Sequence, residues 1–311
     1  MQNDHSNEIQ KAVEAIPRAQ RERLAFIDFQ LYFLGELRRA DLKERFETGS
    51  AGATRDIALY KELAAENLEL DNGAKLYRPT DAFRPLFVHD PKRVLTALSR
   101  GFGQGLGLDL EPMVRCEYPQ PLNMPSVSVI APIARAIHLG KAVRLHYTSV
   151  NSGRTLKELV PLAIVDVGLH WQVRAFDRKH QQFRDFVLTR MEAPQVLTND
   201  LVSKAETIEG DTLWNRIIEL ELVPHPEHPR PEIVEIDYAM MDGVLKVPVR
   251  AAHAGYMLRY WSVDCSTDHH LYHIGCALWL RDALSLYGSE ADVAPGYEDP
   301  RPGHVNKIRA M

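Results

Sequence analysis

The sequence predicts an α+β fold in three parts, and three observations carry that expectation. Residues 21–80 hold three amphipathic helical patterns followed by one hairpin signal, residues 142–197 crowd short alternating strands together, and residues 210–311 mix helical and strand patterns. The 311 residues leave room for two or three separate cores. A hydrophobic content of 45% with 25% charged residues is that of an ordinary globular chain. No apolar run approaches a membrane span, and the opening MQNDHSNEIQ lacks a basic-then-apolar export signal. Three scattered cysteines, Cys116, Cys265 and Cys276, argue against a disulfide framework and for a cytoplasmic location.

In chain order, RERLAFIDFQLYFLGEL from Arg21 to Leu37 places Leu24, Ile27, Leu31 and Leu34 on one helical face. A second short helix is expected over Ala40 to Phe46. The small residues Thr48 to Ala53 predict a tight turn, and Ile57, Leu59, Tyr60 and Leu63 a third helix. LELDNGAKLYRPT is the clearest hairpin signal, Leu68 and Leu70 meeting Leu76 through Asp71-Asn72-Gly73, residues that accept positive φ at little cost.

Three helices with a tight turn before the third, and then a hairpin, resemble a winged helix-turn-helix. The run Thr54-Arg55-Asp56-Ile57, followed by Tyr60 and Leu63, is similar to the recognition helix of many bacterial repressors. The resemblance implies that Ser50, Thr54, Arg55, Tyr60 and Lys61 contact DNA, that Ile57 and Leu63 belong to the core, and that Lys75 and Arg78 touch phosphate from the wing. Charge gives a mixed signal. Residues 1–90 carry a net −3, which suits a helical domain that binds protein, yet residues 38–61 hold six basic side chains against four acidic ones.

Residues 81–130 read as a connector. Asp90-Pro91 is a helix start, a capping residue followed by proline at the first helical position, and PKRVLTALSR ends at Gly101. The glycines at 101, 103, 105 and 107 are not a nucleotide loop. They follow a helix where a strand is needed, and neither GxGxxG nor GxxxxGK[ST] spacing is met, so a flexible hinge is expected. Pro119, Pro121 and Pro125 then mark a boundary.

A short helix at Ile130 to Leu139, closed by Gly140, precedes four or five strands joined by tight turns, a pattern for a small, strongly bent sheet or barrel. Residues 131–200 carry a net +4, where residues 91–130 carry +1 and 201–311 carry −7. Arg174, Arg184 and Arg190 lie on or beside the strands of WQVRAFDRKHQQFRDFVLTR (Trp171 to Arg190), a basic set suited to phosphate or carboxylate groups.

The stretch from Ala136 to Leu197 resembles the WYL domain, a small SH3-like barrel of bacterial transcription regulators. Tyr147-Thr148-Ser149, Pro161, Trp171-Gln172-Val173, Ala175, Arg184, Phe186 and Arg190 match it, although Gln172 and Val173 stand where tyrosine and leucine are usual. The resemblance implies a sensor for a nucleotide or nucleic-acid ligand lined by Tyr147, Ser149, Arg174, Arg184 and Arg190, with Trp171 and Phe186 in the core.

Beyond Gly210 the sequence predicts a helix over DTLWNRIIELEL, strands over EIVEIDYAM and VLKVPVRA, and a helix through AGYMLRYW. This βαβ-like tail resembles the α/β extension that accompanies WYL domains and supports dimerisation. Cys265, His269, His273 and Cys276 carry zinc-type side chains, but C-x3-H-x3-H-x2-C is not a usual zinc spacing. On one helix these residues would share a face with two readings, ligands or packed stripe, and Leu271, Ile274, Leu278 and Leu280 around it favour packing. No metal and no cofactor is expected.

No GxSxG, HExxH or comparable arrangement is present, so catalysis is not expected. The order as a whole, a winged helix at 1–85, a helical linker at 86–130, a WYL domain at 131–200 and an extension at 201–311, resembles the compact repressors associated with phage-defence islands. It implies a homodimeric repressor on a palindromic or pseudo-palindromic double-stranded DNA operator, tuned by a nucleotide or nucleic-acid effector. The alternatives are a nucleotide-processing enzyme and a ligand-binding adaptor that does not touch DNA.

Overall fold

The computed structural model describes residues 11–102, 112–117, 119 and 121–301. The chain divides into two compact units, Met1–Pro119 and Gln120–Met311.

In the first unit, helix α1 (Arg18–Phe29) runs on into a π-helical turn, Gln30–Leu34, and stops at Gly35, whose φ of 76° ends it. The face read from the sequence is inward: Leu24, Ile27 and Leu31 are fully buried. Helix α2 (Arg39–Phe46) starts with the Asp41 carboxylate accepting from the Arg38 amide at 2.7 Å. Helix α3 (Ser50–Leu63) begins earlier than expected. The turn is confined to Glu47 (φ 51°), Thr48 and Gly49, and the small residues after it already belong to the helix. At Gly52 a Cβ would meet the Thr48 hydroxyl at 2.5 Å, so a larger residue there would displace that side chain.

Strands β1 (Leu68–Asp71) and β2 (Leu76–Pro79) form the hairpin, with Asp71 opposite Leu76. The left-handed residue of its turn is Lys75 (φ 56°), and the Asp71 carboxylate accepts from the Ala74 amide at 3.0 Å. Leu37 bridges to Tyr77 through two backbone hydrogen bonds and joins the hairpin to the end of the π-helical turn. Helix α4 (Pro91–Arg100) is capped by Asp90, which accepts from Arg93 at 2.9 Å. Three glycines of the expected hinge, at 103, 105 and 107, lie outside the described residues.

In the second unit, helix α5 (Val127–Leu139) ends at Gly140 (φ 60°) and packs on an antiparallel sheet. Its strands are β3 (Val143–Ser149), β4 (Gly153–Asp166), β5 (Trp171–Asp177), β6 (Gln182–Val187) and β7 (Met191–Val196), in the order β6-β5-β4-β3-β7. The expected barrel is an open sheet. Strand β4, bent by a register shift at Pro161 to Ala163, pairs on both sides, but β6 and β7 share no ladder among the described residues. Val129, Ile133 and Ala136 of α5 close one face over Leu145, Val173, Ala175 and Phe186, with Trp171 packed at the rim. Burying such side chains contributes about 1.5–3 kcal/mol each.

The tail departs most from expectation. DTLWNRIIELEL is a single helical turn (Thr212–Asn215) and then strand β8 (Ile217–Pro224), because the period-two set Ile218, Leu220 and Leu222 outweighs the helical pattern. The expected strand EIVEIDYAM is helix α6 (Pro231–Asp237), started by proline at its first position and Glu232 in its first turn. Strand β9 (Leu245–Arg250) and helix α7 (Ala254–Tyr260) follow, then β10 (Val263–Asp264) and β11 (Leu278–Leu280). They make a mixed sheet in the order β10-β11-β8-β9, in which β10 and β11 are parallel. The tail is therefore not a simple βαβ unit.

The Cys265 to Cys276 segment is not a helix. His269 is left-handed (φ 58°), and only Tyr272–Ile274 form a 3-10 turn, so the presumed shared face does not exist. Among the described residues no three Cys, His, Asp or Glu side chains are grouped to hold a metal. Burial pushes the Cys265 thiol above its ordinary pKa.

This segment is instead organised by buried Asp264, which accepts from the amides of Ser266 (2.7 Å) and Leu271 (3.0 Å) and faces His225 Nε2 at 3.1 Å. Burial alone would raise the pKa of Asp264; the hydrogen bonds to Ser266, Leu271 and His225 hold it below the usual carboxylate range. A depressed carboxylate stabilises the fold above its unfolded pKa and loses that contribution as pH falls through its folded value. Urea unfolding is thus expected to show stability declining below about pH 4, and Asp264→Asn is expected to lower stability at pH 7 and to flatten that decline.

Candidate functional site

Helix α3 presents one continuous exposed face of Ser50, Ala51, Thr54, Arg55, Ala58, Lys61 and Glu62, spaced at one helical turn. Small residues at 51 and 58 let the helix axis approach a surface closely, and Arg55 projects between them. Thr54 donates its hydroxyl to the Ser50 carbonyl at 2.9 Å. On the hairpin, Lys75 and Arg78 are exposed, and Arg78 sits 3.4 Å from Asp71. A hollow of about 570 Å³ between the start of α2 and the hairpin is lined by Arg38, Arg39, Asn72 and Lys75. The cationic side chains gathered there suit phosphate.

Tyr60 is a correction. It is fully buried on the opposite face, where it donates to Asp28 and accepts from Asn67 at 3.0 Å, so it is not available for DNA. Burial, reinforced by the Asp28 charge, pushes its phenol pKa up. Asp28, itself fully buried, also accepts from the amides of Leu86 and Phe87 and meets His89 at 2.8 Å. One carboxylate thus ties α1, α3 and the connector together. Asp56 plays a similar part with Arg23 (2.6 Å) and Gln20 (2.9 Å). Sequence reading missed both, although a carboxylate inside LAFIDFQL, one turn from Leu24, is a signal for a buried polar node.

The expected ligand set divides. Arg174 is fully buried, with its guanidinium spent on three carboxylates: Asp211 at 2.7 and 3.2 Å, Asp185 at 3.4 Å and Glu290 at 3.1 Å. Burial alone would lower its pKa, but Asp211, Asp185 and Glu290 push it above the ordinary arginine value. Tyr147 is buried against Phe186 with its oxygen accepting from the Val187 amide at 3.2 Å. Both are structural, a correction to the expected site. Ser149 is taken up in the β3–β4 turn with Ser152 at 2.7 Å. Arg184 and Arg190 remain exposed.

The reason lies in β5. Val173 and Ala175 point to the α5 core, while Gln172 and Arg174 point to the other face, which the tail covers. There Asp211, from the turn before β8, and Glu290, beyond β11, meet the sheet in a polar seam with His253 and Tyr256. Burial, with the Asp185 charge next, pushes the Tyr256 phenol up to about 12. His253 Nε2, Asp185 Oδ2 and Gln172 Oε1 have no hydrogen-bond partner among the described residues. None of the tail's contributions to this seam was legible from spacing, because they come from 37 and 116 residues away.

A helix with a polar exposed face, a hairpin wing bearing Lys75 and Arg78, a WYL-type sheet and a mixed tail define a winged-helix transcriptional regulator. Family models agree with that order. The BrxR transcriptional regulator winged helix-turn-helix domain matches residues 19–99, the WYL domain residues 128–196, and the BrxR transcriptional regulator C-terminal dimerization domain residues 217–285. The DNA-binding transcriptional repressor CapW of Escherichia coli (strain KTE188) is 31% identical over 271 residues, covering 84% of this chain and 88% of that protein. CapW of Pseudomonas aeruginosa is 30% identical over 250 residues, 77% and 81% of the two chains, and CapW of Stenotrophomonas maltophilia 30% over 254 residues, 79% and 84%. The chain belongs to this BrxR and CapW family of WYL-domain transcriptional repressors.

Proposed function

We propose that the chain is a homodimeric repressor that inserts α3 into the major groove of operator DNA and lays the β1–β2 hairpin on the backbone. The observation that carries this is the exposed face of α3, where Ser50, Thr54, Arg55 and Lys61 stand free of the core. Arg38, Arg39, Lys75 and Arg78 are assigned to phosphates. The second copy is assigned to the tail, whose matched model is named a dimerization domain and whose α6 region leaves Ile236 and Met241 77% and 80% exposed. Twofold symmetry in the protein asks for a palindromic or pseudo-palindromic operator.

The sheet domain would sense a nucleotide or nucleic-acid effector through Arg184 and Arg190, a role that Arg174 and Tyr147 cannot share. The effector acts only if it binds the DNA-free and DNA-bound arrangements with different affinities, releasing the operator if it prefers the first and tightening the grip if it prefers the second. No described helix is long and apolar enough to cross a membrane, which fits work on DNA in the cytoplasm. The assignment as a regulator rather than an enzyme follows from the same reading.

Gel shifts on the chain's own upstream DNA are expected to give a specific complex that weakens steeply with salt. Lys75→Ala should lower the slope of log affinity against log salt by about one. Equal affinity for scrambled DNA would remove the repressor reading.

A further inference from the structure

We propose that the hollow between α1 and α4 in the first unit is a binding site for a small amphipathic anion, an apolar body with one carboxylate or sulfonate head, and that its occupancy is passed to α3. Binding rests on the hollow alone. Its consequence for operator affinity rests on α3 as the reader of DNA.

Three observations carry it. First, the hollow is held open by its frame. The segment before α4 is anchored on Asp28, which accepts from the amides of Leu86 (2.9 Å) and Phe87 (3.3 Å) and meets His89 at 2.8 Å. Beyond α4, Arg45 donates twice to the Phe102 carbonyl, at 3.0 and 2.8 Å, and the Phe102 ring packs edge-on against Phe26 and Phe29. Between these anchors α4 buries only Ala97, and a hollow of about 710 Å³ remains against α1. Packed interiors leave few voids larger than a water molecule, whereas sites for small organic ligands run to about 300–1,000 Å³.

Second, the lining is sorted by chemistry. Ala25, Phe29, Phe87, Val94, Ala97 and Phe102 make apolar walls. Lys92 and Arg93, exposed on the first turn of α4, stand at the mouth. Asp90 lines it too, but its carboxylate is taken up in capping the Arg93 amide at 2.9 Å. Apolar walls take a ligand's body out of water, and two cations at the opening favour an anionic head. Third, the hollow shares a wall with the node that holds the recognition helix. Phe87 and His89 line it, and the Asp28 carboxylate that anchors both also takes the Tyr60 hydroxyl of α3. A ligand seated against Phe87 and His89 therefore bears on α3 through one residue.

The test uses the full chain and two fluorescent probes: anilinonaphthalene sulfonate, and phenylnaphthylamine, the same ring system without the sulfonate. The sulfonate is expected to bind more tightly than the neutral probe. Lys92→Ala combined with Arg93→Ala should weaken it about tenfold and leave the neutral probe unchanged. Ala25→Phe, filling the hollow from α1, should abolish binding of both probes with no loss of melting temperature, and Ala97→Leu, filling it from α4, should do the same. In gel shifts, saturating sulfonate should change the operator affinity of the parent by about fivefold or more. Ala25→Phe should lose that shift because the probe no longer binds, and Tyr60→Phe should lose it while still binding the probe. Sulfonate binding that survives both filling variants overturns the site. Equal binding of the two probes, indifferent to Lys92 and Arg93, overturns the anion. Dissociation of the dimer as the probe binds, seen by sedimentation, gives the hollow to a second copy instead. Unchanged operator affinity with the probe bound removes the link to α3. A parent chain without a specific operator complex ends the α3 reading by itself, and the filling variants still decide the site.

Discussion

Replacing Arg55 by alanine is expected to remove operator binding while leaving the chain folded and dimeric. Arg55 stands at the middle of the exposed face of α3 and enters no ion pair among the described residues. A bidentate arginine contact to a base edge is worth about 1–3 kcal/mol, and a dimer loses it in both half-sites. Operator affinity should therefore fall on the order of a hundred- to a thousandfold. Quantitative gel shifts with melting curves and sedimentation check it. An Arg55→Ala chain that binds its operator normally would move recognition off α3. Tyr60→Phe provides the contrast. It should cost about 1 kcal/mol of stability through lost hydrogen bonds to Asp28 and Asn67, with operator affinity of the folded protein unchanged.

The second large effect is expected at Arg174. Its alanine variant would leave Asp211 and Asp185, with side chains 1% and 4% exposed, as buried uncompensated carboxylates beside Glu290. Removing one partner from such a buried set costs about 3–5 kcal/mol, which for a domain of this size lowers the melting temperature by on the order of 10 °C. Lysine should not rescue it, since a single ammonium cannot span three carboxylates as the guanidinium fork does. Calorimetric melting decides the point. A variant that melts like the parent but has lost its effector response would restore Arg174 to the ligand site.

Much of the fold was legible because it rests on local rules. The α1 face of Leu24, Ile27 and Leu31, the Asp71-Asn72-Gly73 hairpin, the Asp90-Pro91 helix start and the stop at Gly140 each depend on residues within one or two turns of one another. The order of helices, hairpin and strands was enough to place the chain in its family class. Where local signals competed, reading faltered. IIELEL satisfies a helical and an alternating pattern at once, and only the neighbouring strands β9 and β11 decide for a strand. EIVEID carries strand-forming residues, but Pro231 and the packing of Val234 make it helical. Cys265 to Cys276 looked like a shared face only because a helix was assumed beneath it.

What the sequence determined by itself was the kind of protein: a winged head, a WYL-type sheet and a tail, with a polar helix face bearing Arg55. Tertiary structure decided which charged residues are available. Arg174 and Arg190 are equivalent letters in one basic stretch, yet one is sealed against Asp211 and Glu290 and the other faces solvent. Strand alternation says only that Gln172 and Arg174 share a side. Whether that side meets water or protein depends on groups that arrive from far along the chain, and a buried charge persists only where such partners close around it.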